Sequence, residues 1–416
     1  MLPPIAVFYR PGLGKGGGML KNFIILLSAQ VFVAFGGLTI PPLIPFLQSA
    51  LRMNYTHVGS IMTFLYFGAM VISLPAGWLT DKLSIKKMVF LSYMMMGCLV
   101  ILYSLVGNYI TAILLAFVMG VAYGMVNPPT TLGILVLVRK EMRGVAMSLK
   151  QTGVPLGGAL AAALLPPLAL RFSWKVSFIF AGATIILSGL LSQILYQPSQ
   201  EKNISSDSHP QEKPQAICRR TYWDKNIIFL GIGGAFCAVV QISLVTYIIL
   251  YLKDVKEFDL ILAAFCLTLI NIGGILGRVF WGGISDWLFK GSRKTVLKMI
   301  VSLIFLTSLI LGLNITLSLL VLFVVLFIFG FSALGWNGIF LALIGELADK
   351  DVAGRAIGLC MMLTFVGNLS GPVIFGKILD MTRSYNLGWY FLCASMVGAF
   401  ILFSHIKEKA ITEMSL

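Results

Sequence analysis

Twelve apolar stretches, each long enough to cross a bilayer, leave this sequence few ways to fold. A helix needs about 20 predominantly apolar residues to traverse the roughly 30 Å hydrocarbon layer. Such runs lie at 22–47, 56–79, 88–107, 109–138, 144–170 and 174–196, and then at 227–252, 260–285, 295–313, 316–345, 354–379 and 387–405. Of the 416 residues, 58% are apolar and 11% charged, with a mean hydropathy of +0.93. A soluble globule carries about 25% charged residues, so that class is excluded. In lipid every backbone polar group must find its partner within the chain, and a helix does this segment by segment. The expected fold is all-α and integral to the membrane, with twelve transmembrane helices.

A net charge of +15 could suggest nucleic acid, but the placement of the cations argues for topology instead. With both termini on the cytoplasmic side, 22 of the 31 Lys and Arg residues fall in inner loops and tails, and 7 in outer loops. Inner loops attract this excess in membrane proteins generally. The reading is a multi-pass protein of a bacterial inner membrane, a monomer in contact with lipid, with no nucleic-acid partner. Six cysteines show no metal-like spacing, and no cluster suggests a metal, a cofactor or a catalytic nucleophile, so an enzyme is not expected. The opening MLPPIAVFYRPGLGKGGG lacks the pattern of a signal peptide. It reads as a tail, or as an upstream extension if Met19 is the true start.

The hydrophilic stretch 197–226, with three prolines and mixed charge, reads as a flexible linker between two halves. The expected organisation is a tail over 1–21, a six-helix bundle over 22–196, the linker, a second bundle over 227–406 and a tail over 407–416. The halves resemble each other. A shift of 205 carries Gly68 onto Gly273, Gly77 onto Gly282 and Asp81 onto Asp286. After a short insertion at 290–292 the shift becomes 210, carrying Gly120 onto Gly330, Asn127 onto Asn337 and Gly144 onto Gly354. A duplicated six-helix unit explains such an offset, and internal repeats are a hallmark of secondary transporters. Proline breaks the symmetry: nine lie within spans of the first half and only Pro372 in the second. The first bundle is expected to be more bent, with the helices near Pro41 and Pro155 as candidates for bending.

Between the second and third spans lies GWLTDKLSIKK, and between the eighth and ninth GGISDWLFKGSRK. These segments resemble the signature loop of the major facilitator superfamily, a Gly-x-x-x-Asp followed by basic residues. The first copy has Ser84 where that family prefers glycine. The second lacks the basic residue directly after its Asp. The resemblance covers nearly the whole chain and implies two pseudo-symmetric six-helix bundles, with these loops acting as a latch that forms in one conformation and opens in the other. Gly77, Asp81, Lys86, Lys87, Gly282 and Asp286, with Arg143 and Arg355, are the gating candidates. The physics of the loop alone allows a plainer reading, a tight turn with topology-setting charge. It also allows Asp81 and Asp286 to accept from the N-terminus of a neighbouring helix.

Two cations lie inside spans, Arg278 and Lys150, whereas all sixteen acidic residues fall in loops or at helix ends. Intramembrane charges are costly, and they are functional hypotheses by default. At about 1.5 Å of rise per residue, Arg278 lies roughly 12 Å and Lys150 about 9 Å from the inner ends of their helices. An anionic ligand in a water-filled cavity would compensate both. Guanidinium offers a planar fork suited to a carboxylate, while ammonium is a compact point charge. Lys150 can instead snorkel to the interface or bond backbone carbonyls. Tyr66, Tyr123, Asn127, Gln151, Gln241, Tyr247, Trp336 and Asn337 are polar or aromatic residues placed to complete a pocket, although each can equally serve as glue between helices.

Arg278 in GRVFWGGISD resembles the eighth-helix arginine of the oxalate:formate antiporter and monocarboxylate transporter families, where that position is associated with the substrate carboxylate. The resemblance implies a secondary transporter of a small organic anion, a mono- or dicarboxylate, working by alternating access as exchanger or facilitator. The second cation departs from the oxalate:formate pattern: it lies in the fifth span, not the eleventh. Two alternatives stay open, an exporter of amphipathic compounds whose cations are structural, and a non-transporting membrane sensor.

Overall fold

The computed structural model describes residues 16–139, 142–197, 224–289, 292–348 and 353–407. Most of the tail over 1–21, most of the linker over 197–226 and most of the tail over 407–416 therefore lie outside the described residues. The first half contains α1 (Gly16–Gly37), α2 (Ile40–Ala50), α3 (Tyr55–Leu83), α4 (Ile85–Tyr103), α5 (Tyr109–Met125), α6 (Asn127–Leu137), α7 (Arg143–Gln151), α8 (Gly153–Arg171) and α9 (Trp174–Leu195). The second contains α10 (Lys225–Asp254), α11 (Leu260–Trp287), α12 (Arg293–Gly312), α13 (Leu319–Ala333), α14 (Asn337–Leu347), α15 (Ala353–Thr382) and α16 (Tyr385–His405). They make twelve spans long and apolar enough to cross a membrane among the described residues.

Four of those spans are broken in two, and sequence chemistry explains three of the breaks. The α1/α2 break precedes Pro41 and Pro42, the α5/α6 break precedes Pro128 and Pro129, and the α7/α8 break at Thr152 precedes Pro155. Proline lacks the N–H that would continue the ladder, so helices restart with it in their first turn. The fourth break, between α13 and α14, contains no proline; Leu334, Gly335 and Trp336 occupy it. Three breaks in the first half against one in the second match the uneven prolines. Helix starts are set locally as well. Asn108, Ser173, Asp224, Asp259 and Ser318 accept from backbone amides in the first turns of α5, α9, α10, α11 and α13.

The contacts divide the chain into two compact units. One comprises the described residues of Met1–Arg52 and Phe64–Gln215, the other those of Met53–Thr63 and Ala216–Leu416. The first turns of α3 thus belong with the second half of the sequence. In the first unit α1 runs along α8 and α4 along α9; in the second, α10 runs along α15 and α12 along α16. These are the same pairings at the repeat offset. The closest crossings repeat too. A Cβ on Gly120 would collide with the Leu65 carbonyl, and one on Gly330 with the Ile270 carbonyl. Leu65 and Ile270 are related by the shift of 205, and the two glycines by the shift of 210. Glycine is required at both because backbone lies directly against backbone.

Candidate functional site

The two intramembrane cations are both buried, and each is held by the break in its own half. Lys150, on α7, is 0% exposed. Its Nζ donates to Asn127 Oδ1 at 2.8 Å and Thr131 Oγ1 at 2.8 Å, and lies 3.4 Å from the Asn127 carbonyl oxygen. Asn127 is the first residue of α6, immediately after the α5/α6 break. Arg278, on α11, is 6% exposed, and its Nε donates to the Leu334 carbonyl at 2.9 Å. Leu334 caps the C-terminal end of α13 at the α13/α14 break. One turn further along α11, Trp281 Nε1 donates to the Phe331 carbonyl at 3.0 Å. Interrupting a helix frees carbonyl oxygens from the ladder, and neutral oxygens at the breaks take up part of the cost of each cation. Snorkelling of Lys150 to the interface does not occur here, because burial is complete and its bonds run sideways to α6.

The remaining pocket candidates fall into separate groups. On the second unit Gln241 Oε1 accepts from Trp336 Nε1 at 2.9 Å and Asn337 Nδ2 at 3.2 Å, so α10 reads the first turn of α14 directly beside the Leu334 end that holds Arg278. Asn337 and Asn127, repeat mates, open α14 and α6 and bond different partners. On the first unit Tyr66 and Tyr123 meet edge to face, with ring centroids 6.2 Å apart. Asn127 is exposed although it lies mid-span, while Gln151 is half-buried beside Lys150.

Tyr247 stands apart from these groups. It is fully buried, and its hydroxyl lies 2.8 Å from both the Tyr55 and Pro372 carbonyl oxygens. The junction around it fixes the first turns of α3 to α10, α15 and α16. Asp380 of α15 accepts from the amides of Tyr55 at 3.0 Å and Thr56 at 2.8 Å, and from the Thr56 hydroxyl at 2.6 Å. Tyr55 and Tyr385 both donate to Asp254 Oδ2, at 2.9 and 2.7 Å. A carboxylate on the exposed amides of a helix N-terminus answers both its unmade hydrogen bonds and its dipole. In the sequence Asp254 and Asp380 are ordinary end-of-helix acids, and nothing local to them signals a partner more than 120 residues away.

At the opposite end of the spans, the two signature loops differ. Asp286 pairs with Arg293, whose Nε also reaches Glu346 at 3.1 Å. Arg293 thus supplies, from beyond the insertion, the basic residue that does not follow Asp286 directly. The expected acceptor role at a neighbouring helix N-terminus is replaced here by an ion pair, because Arg293 itself opens α12. Asp81, Lys87 and Arg355 are exposed, Gly77, Lys86 and Gly282 are half-exposed, and neither glycine has a close neighbour where a Cβ would stand. Lys82 lies 3.8 Å over the Trp78 ring. Ser84, in the glycine position of the motif, adopts φ 74° and ψ 155°, a conformation that favours glycine. Arg143 Nη2 donates to the Leu135 carbonyl at 2.7 Å, satisfying the C-terminal turn of α6.

Comparison with known proteins agrees with this architecture. The chain is 22% identical over 392 residues to the probable sulfoacetate transporter SauU of Cupriavidus necator, covering 88% of this chain and 89% of that protein. It is 23% identical over 387 residues to the probable galactarate/D-glucarate transporter GudP of Bacillus subtilis, covering 85% and 84%. Among solved structures, a bacterial homolog of the human lysosomal transporter Spinster superposes with a TM-score of 0.71 at 15% identity, over 94% of this chain and 96% of that one. The sequence pattern of the Major Facilitator Superfamily matches residues 26–372. With twelve spans, a duplicated half and its signature loop in both copies, this chain belongs to the Major Facilitator Superfamily of transporters.

Proposed function

We propose that this transporter moves a small organic anion bearing a carboxylate, by alternating access, and that Arg278 docks the anion. The observation that carries the reading is a guanidinium buried at membrane depth and oriented through its Nε by the Leu334 carbonyl. No acidic residue lies within the interior of any span. A planar fork fixed in this way suits a carboxylate. Asn337 and Gln241, both half-buried and joined through the Gln241 Oε1 that also accepts from the buried Trp336, stand at the same break to meet the rest of the solute. Lys150, held by Asn127 and Thr131, is the second cation proposed to favour an anion. The relatives named for sulfoacetate and for galactarate and glucarate support an anionic cargo. Charge distribution favours cytoplasmic termini, and the reading takes the protein as a monomer in a bacterial inner membrane. The signature loops and Arg143 and Arg355 serve as the gate on that side.

The test is counterflow in proteoliposomes with a panel of labelled anions: sulfoacetate, sugar acids, simple mono- and dicarboxylates and, as a control, a lipophilic cation. At least one anion is expected to exchange, and Arg278→Ala should reduce its exchange about 100-fold, the order expected for a lost charge-assisted bond. Exchange that persists within twofold in the variant, or transport of the lipophilic cation alone, rejects the reading. Dependence on anion in the opposite compartment separates an exchanger from a facilitator.

A further inference from the structure

We propose that the seam between α12 and α16 binds an anionic phospholipid from the leaflet at the Arg293 end of α12. Two observations made on different residues meet there. The first is a groove of about 290 Å³ lined by Val301, Ser302, Phe305 and Leu306 of α12 and by Val397 and Phe400 of α16. Its walls open to the membrane: Leu306 is 51%, Val397 47% and Phe400 38% exposed.

The second is a pair of ammonium groups at one end of the same seam. Lys294, Lys298, Val301, Ser302 and Phe305 recur at helical spacing and so form one stripe on α12. Lys294 Nζ reaches across to the Ile406 carbonyl at 2.6 Å, and Lys298 Nζ lies 4.8 Å from the centroid of the Phe400 ring, the residue that closes the groove. The neighbouring carboxylates Asp286 and Glu346 are paired with Arg293, and among the described residues none bonds Lys298. A cationic rim continuous with an apolar slot is complementary to an amphiphile with a phosphate head and an acyl tail. Basic pockets between helices at the membrane surface recognise such headgroups. The tail lies along Val301 and Phe305, and the phosphate meets Lys298 and Lys294. This site is on the lipid-facing side of the second unit and is independent of Arg278.

Native mass spectrometry of the detergent-purified chain tests it, with phosphatidylglycerol and phosphatidylcholine of identical acyl chains added in equal amount. Phosphatidylglycerol should be retained preferentially, and Lys298→Gln and Lys294→Gln should each lower that preference about fivefold, the order expected for one basic residue near an anionic headgroup. Lys298→Arg should retain it. Val397→Trp, which fills the slot, should remove the bound lipid while thermal unfolding and anion exchange stay as in the parent chain. Equal retention of the two lipids overturns the proposal, as does an unchanged preference in Lys298→Gln. Retention that survives Val397→Trp, or competition by soluble glycerol phosphate, would place a free anion on the lysines and likewise overturn it.

Discussion

The two halves share a scaffold but not their chemistry. Both keep the glycine that lets backbones touch, at Gly120 and Gly330, and both restart a broken helix at an asparagine, Asn127 and Asn337. In the first half the break is marked by Pro128 and Pro129; in the second it persists without proline. The break therefore belongs to the packing of the duplicated unit, and proline reinforces it in one copy only. Each half then brings one cation to its break from a different neighbour, Lys150 from α7 and Arg278 from α11. At the repeat offsets Lys150 corresponds to Cys360 and Arg278 to Ser73, neither charged. Duplication kept what holds helices together, and the charges at the breaks differ between the copies.

The strongest test of the shared part is a matched pair of glycine substitutions. Gly120→Leu and Gly330→Leu should each cost at least about 3 kcal/mol, because overpacking here meets backbone that cannot rotate away. Little folded protein should survive in size-exclusion profiles of either. If one half tolerates the change, the equivalence of the crossings fails.

The unshared part predicts unequal effects. Arg278→Ala should abolish most anion exchange, whereas Ser73→Ala, at its repeat mate, should leave exchange within twofold. Lys150→Met lies between. Replacing a buried charge by an apolar group of similar length is often neutral or stabilising, so the melting temperature should hold or rise while exchange falls about tenfold. Exchange that is unaltered would reduce Lys150 to a strut for Asn127.

A smaller effect separates the starts of α3 and α11, which are repeat mates. α11 is capped by its own Asp259, which accepts from the Leu262 amide at 2.9 Å. In α3 the local Asn54 caps only the His57 amide, and Asp380 takes the two before it. Asp259→Ala should cost about 1 kcal/mol, the usual value of a cap. Asp380→Ala should cost about 2 kcal/mol and also raise cysteine-labelling rates at introduced sites within 53–63. Labelling unchanged from the parent would mean that Tyr247 and Thr63, whose hydroxyl donates to the Leu369 carbonyl at 2.6 Å, suffice to hold these turns. The smallest change expected is at Ser84, where Ser84→Gly should stabilise by about 1 kcal/mol by relieving a backbone conformation that serine adopts at a cost. A lower melting temperature would contradict that.

Much of the fold was legible because it follows from chain-local chemistry. Apolar length sets the spans, proline marks three of the four breaks, and an offset of 205, then 210 past a short insertion, exposes the duplication. The site was only partly legible. Arg278 and Lys150 stand out in any apolar run, but Thr131, the Leu334 carbonyl and Trp281 carry no signal in their own neighbourhoods. Tyr247 reads as a pocket residue because a mid-span tyrosine looks alike wherever it points; packing set it against Tyr55 and Pro372 instead. The proline-free break before Asn337 carries no local mark for the same reason, since only neighbouring helices make it favourable.

The sequence by itself determined that this chain has twelve membrane-crossing spans, that it is built from a repeated half and that two cations lie within spans that hold no carboxylate at their depth. Those properties depend on residue type and spacing alone. Only the tertiary structure decided which oxygens share the cations, which carboxylate caps α3 and which helices meet along the α12–α16 seam. Each of these joins atoms distant along the chain, and such pairings are chosen by packing, which no local pattern encodes.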